Sequence, residues 1–88
     1  MYENTNHHGN GHDADHERNA YNLAFCELGL EWFWDAHVYA ELQAIGEPVG
    51  RIRRYAERHT PHLLSVYEPH VLAHAIESTR ARFQSKAA

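Results

Sequence analysis

Apolar side chains in this chain recur every three or four residues, and nowhere do they alternate over the length of a strand. Tyr21, Ala24, Phe25 and Leu28 stand at i, i+3, i+4 and i+7, which places them on one face of a helix. Asp15 precedes this stripe, where its carboxylate can accept a free backbone N–H of the first turn. Gly29 follows it, and glycine readily takes the left-handed conformation that ends helices. The pattern therefore predicts a helix over about 16–28. Cys26, between Phe25 and Leu28, reads as a small buried hydrophobe. Three further stripes follow. Val38, Leu42 and Ile45 predict a helix over 36–44, with Asp35 as its N-cap. Ile52, Tyr55 and Ala56 predict one over 49–59, ended by Thr60-Pro61 because a residue before proline is pushed out of the helical region. Leu72, Ala75, Ile76, Thr79 and Phe83 predict one from Pro69 to about 85, with proline in the first turn, where its missing N–H costs little. Leu63, Leu64 and Val66 make a short apolar connection, one helical turn at most.

The expected fold is all-α: a small four-helix bundle over residues 15–88. Residues 1–14 are polar, rich in Asn, Gly and His and without periodicity, and are expected to be a disordered head. A chain of 88 residues is one domain, and it buries roughly 60–65% of its unfolded surface. Such a core leaves a narrow stability margin, which a partner covering an apolar face would widen.

No apolar run reaches the length of a membrane span, so no membrane association is expected. The N-terminus lacks the basic and apolar regions of a signal peptide. With Cys26 as the single cysteine, no internal disulfide can form, and the cytoplasm is the expected location. The formal net charge is −4, unevenly spread. Residues 1–47 hold nine acids and one base, Arg18, whereas residues 48–88 hold three acids and seven bases. This asymmetry fits antiparallel helices attracting one another; it also fits an anion site near Arg51, Arg53, Arg54 and Arg58. An acidic chain without a recognised binding motif is not expected to bind nucleic acid.

The stretch Asn19-Ala20-Tyr21-Asn22-Leu23-Ala24-Phe25-Cys26-Glu27-Leu28-Gly29-Leu30-Glu31-Trp32-Phe33-Trp34-Asp35 resembles the first cap helix and following turn of haloacid dehalogenase-like hydrolases. The similarity is to the β-phosphoglucomutase, phosphoglycolate phosphatase and sugar-bisphosphatase branch. Gly50-Arg51-Ile52-Arg53-Arg54-Tyr55 is similar to that branch's G-G-K-E-R-I-x-x-Y segment, and Ser78 to Phe83 to the helix that returns to the core. The resemblance covers about residues 17–85 and implies a helical cap domain. It also implies an anion contact through Arg51, with Arg54 nearby, because a guanidinium fork suits phosphate geometry. Glu17 and Val49 stand where this branch often carries a histidine and a lysine.

The chemistry of that family resides in an α/β core with a D-x-D-G-T nucleophile motif and Mg²⁺ ligands, and none of these elements stands in the 88 residues. The one Asp-x-Asp, Asp13-Ala14-Asp15, has no apolar strand before it and no Gly-Thr after it. No catalytic residue is therefore assigned. No cofactor is expected of the chain itself, and Mg²⁺ enters only with a hydrolase core.

Nine histidines are many for this length. His70 and His74 stand four apart on a predicted helix, so both can face one metal ion, and His12 and His16 share that spacing. A structural zinc needs four ligands and a catalytic zinc three, so a pair alone also reads as surface histidines. His59 and His62 are the other nearby donors. Trp32 and Trp34 either close one end of the bundle or form a patch for a partner. Three functions are consistent with these features. The first is association with a protein partner or a second copy, without catalysis. The second is a cap fragment of a Mg²⁺-dependent hydrolase completed by a core in trans. The third is metal binding through histidines.

Overall fold

The computed structural model describes the backbone of residues 5–87 and the side chains of residues 14–85. Five helices follow one another: α1 (Thr5–Glu27), α2 (Ala36–Gln43), α3 (Pro48–His59), α4 (Leu63–Val66) and α5 (Pro69–Ala87). No strand occurs among the described residues, so the fold is all-α as expected. α1 and α5 form the main packed pair, α3 lies against α5, and α2 bridges α1 and α3.

Local signals account for most boundaries. α1 is traced from Thr5, well ahead of the expected start; the reading of 1–14 as a disordered head falls largely outside the residues whose side chains are described. Its C-terminus is a Schellman motif. Gly29 takes φ +77°, Gly29 N donates to Cys26 O at 3.1 Å, and Leu30 N donates to Phe25 O at 2.8 Å. Asp35 caps α2 by accepting the Val38 N–H at 2.8 Å. Pro48 opens α3 and Pro69 opens α5, each in the position where no intrahelical N–H is lost. Glu68 caps α5: its Oε1 accepts the N–H of His70 at 2.9 Å and of Val71 at 3.2 Å.

The core is aromatic at its centre. Trp34 is fully buried, with the rings of Tyr21 and Phe25 at 4.9 and 4.8 Å and those of Tyr55 and Tyr39 at 5.7 and 6.1 Å. Trp32 packs edge-on against Phe25 and Tyr55, and its Nε1 donates to Thr60 Oγ1 at 3.2 Å. Ile52, Ala56, Leu72, Ala73 and Ile76 complete the core from α3 and α5.

Five side chains depart from the helical pattern. Cys26 is exposed, because it lies about 100° around the helix from buried Phe25. Leu28 falls just past the end of α1, where the turning backbone carries it off the inner face, and it is 40% exposed. On α5 the innermost face is Leu72, Ala73 and Ile76, while Ala75, Thr79 and Phe83 are half-buried. No helix among the described residues is long and apolar enough to cross a membrane.

Candidate functional site

Trp32 and Trp34 are not a partner patch. Residues 30–35 run extended between α1 and α2, so successive side chains point to opposite sides. Trp32 and Trp34 therefore both enter the core, and Phe33 between them is 63% exposed. The main-chain polar groups of Trp34 are met by α1, while its buried indole N–H has no partner among the described side chains. Asn22 Oδ1 accepts from Trp34 N at 2.8 Å and Asn22 Nδ2 donates to Trp34 O at 3.0 Å.

Arg51 and Arg54 serve different surfaces. Arg51 is half-buried and its Nε donates to Ile45 O at 3.0 Å, tying α3 to the end of the α2 segment. Arg54 instead faces a groove of about 460 Å³ between α2 and α3, shared with Arg58, His59 and Tyr55 over a floor of Leu42 and Val38. The His59 ring lies 4.3 Å from that of Tyr55. Glu41 lines the same groove and pairs with His37 at 3.5 Å. Burial pushes the Tyr55 phenol above its ordinary range, and the Asp35 carboxylate adds to the effect.

The histidine pair is brought together. His70 and His74 both line a second groove, of about 600 Å³, between the start of α3 and the first turns of α5. Its walls are almost wholly apolar, from Pro48, Val49, Val71 and Ala73. His70 Nδ1 lies 3.3 Å from Glu68 Oε2, and this hydrogen bond, with the capping N–H bonds, holds the Glu68 carboxyl below the usual carboxylate range. His59 lines the other groove, and no cluster of three or more His, Cys, Asp or Glu side chains placed to hold a metal occurs among the described residues. His12 lies outside the described side chains.

Two polar links that no local pattern announces join the helices. The Tyr21 hydroxyl donates to Glu77 across α1 and α5, and the Tyr39 hydroxyl donates to Glu17 across α2 and α1. Arg80 completes the first link. It donates to Glu77 at 2.8 Å and Gln84 at 2.6 Å, and it stacks over the Tyr21 ring at 5.4 Å. Burial, then the hydrogen bond to Glu77, holds the Tyr21 phenol protonated far above its ordinary value. The Glu77–Arg80 spacing of three on one helix was the only trace of this network in the sequence.

No family model, curated protein or solved structure matches the chain.

Proposed function

We propose that this chain is a cap-like helical domain that works by protein association, through the face where α3 meets α5. The carrying observation is the groove whose walls are Pro48, Val49, Val71 and Ala73, with Val71 60% exposed. Val66 and Tyr67, which lead into α5, are 69% and 47% exposed. Single exposed apolar residues are ordinary, but an apolar-walled groove beside a run of them is the kind of surface that a protein partner covers. The resemblance to hydrolase caps points the same way, since a cap presents one face to another protein unit. The partner in this reading is a second copy of the chain.

Sedimentation of the full chain in EDTA tests this reading. The expected result is a mass that rises with concentration, and a Val71→Asp variant that stays monomeric with an unchanged helical spectrum. Wild-type and V71D chains that remain monomers at every concentration, with or without added metal, would overturn it.

A further inference from the structure

The groove between α3 and α5 is lined by two histidines of one helix. We infer that His70 and His74 bind zinc together with the same pair from a second copy, so that one Zn²⁺ joins two chains. This inference rests on the association proposed above and names what would tighten it.

The geometry begins with spacing. Residues four apart on a helix are neighbours, with Cβ atoms about 5–6 Å apart, so two imidazoles there can reach one ion. Both belong to α5 and both line the same groove. His70 is already oriented. With the proton on Nδ1, its N–H donates to Glu68 Oε2 at 3.3 Å, which leaves Nε2 as the lone-pair donor. A carboxylate behind a ligating histidine fixes the tautomer and raises the basicity of the ligating nitrogen. Glu68 is itself anchored, because its other oxygen caps α5. Val49, Val71 and Ala73 line the groove beside the two imidazoles.

One copy cannot finish the site. Glu77 lines the groove but is committed to Tyr21 and Arg80, and no third ligand is in place among the described residues. Zinc in a structural site takes four ligands in a tetrahedron. Two copies related by a twofold axis supply four imidazole nitrogens from two identical pairs, and they cover both apolar grooves. Each copy has a formal net charge of −4, so a divalent cation between them also offsets their mutual repulsion.

Light scattering and zinc titration of the full chain test the inference, with EDTA-treated protein as the baseline. At a concentration where the EDTA-treated chain is mostly monomeric, the expected result is a zinc-promoted dimer at one Zn²⁺ per two chains, and a tetrahedral visible spectrum when Co²⁺ replaces zinc. His70→Ala and His74→Ala each lose the zinc-dependent dimer, although histidines elsewhere in the sequence remain. Glu68→Gln keeps a capping oxygen but loses the charge behind His70, and zinc affinity falls about 10–100-fold. A zinc-dependent dimer that survives in H70A and H74A, zinc held only at one per monomer, or no response to zinc overturns the inference. Dimerisation in EDTA that V71D abolishes, with no response to zinc, overturns the zinc site alone and leaves the association standing.

Discussion

Asn22 satisfies both main-chain polar groups of Trp34: one side-chain oxygen takes its N–H at 2.8 Å, and the amide nitrogen of the same side chain meets its carbonyl at 3.0 Å. The extended segment carrying Trp34 has no strand partner, so α1 supplies the hydrogen bonds that a sheet would otherwise give. This leaves the indole free to fill the space between α1, α2 and α3.

Asn22→Ala removes both bonds and strands a main-chain N–H. A loss of about 1–3 kcal/mol is expected. Denaturant unfolding should show the drop, and Asn22→Asp, which keeps an acceptor for the N–H but no donor for the carbonyl, should fall between the two.

Trp34→Ala and Phe33→Ala should differ sharply, although the residues are adjacent. Emptying the Trp34 site costs about 3–5 kcal/mol. A domain of this length has about 4–13 kcal/mol in total, so the variant should lose at least about a quarter of its stability, and all of it at the lower end of that range. Phe33 is 63% exposed, and its truncation should change stability by no more than about 0.5 kcal/mol. Equal losses for the two variants would mean that the extended segment does not alternate as described.

Gly29 sits at φ +77° with open space around the position of a missing Cβ, so any penalty on substitution is conformational rather than steric. Gly29→Ala should lose about 1–2 kcal/mol, the left-handed cost of an L-residue. In a domain of this size each kcal/mol shifts Tm by about 4–8 °C, well within calorimetric reach.

Tyr21 predicts the alkaline limit of the fold. Its folded-state pKa is raised by burial and by Glu77, above the ordinary 10.0. The contribution of the neutral phenol is therefore complete below pH 10.0 and is lost as pH climbs from there toward the folded value. Tyr21→Phe should be less stable at neutral pH by about 1.5–3 kcal/mol, since a hydrogen bond to a charged carboxylate is lost. Above pH 10.0 its stability should decline less steeply than that of the wild type. Parallel alkaline declines would show that another group sets that limit.

Helix identity was legible wherever a residue acts on its own neighbours. Asp35, Thr60-Pro61 and Pro69 set ends of α2, α3 and α5 within a residue or two, because capping and the φ restriction of proline operate within one turn. Gly29 worked in the same way at the end of α1. The candidate residues were less legible. The spacing of His70 and His74 was plain, and Glu68 stands only two residues before His70, but the groove the histidines line emerges only when α3 packs on α5. Arg51 and Arg54 are near in sequence and serve different surfaces, since α3 turns one toward the Ile45 carbonyl and the other into the α2–α3 groove.

By itself, then, the sequence determined an all-α chain, its main helical segments and most of the apolar stripes that face inward. Tertiary structure alone decided that Trp32 and Trp34 enter the core while Phe33 does not, that Cys26 faces out, and that Tyr21 meets Glu77 and Tyr39 meets Glu17. The reason is range. A cap or a helical stripe is set by residues within a few positions, whereas Tyr21 and Glu77 lie 56 residues apart and meet only because α1 and α5 pack side by side.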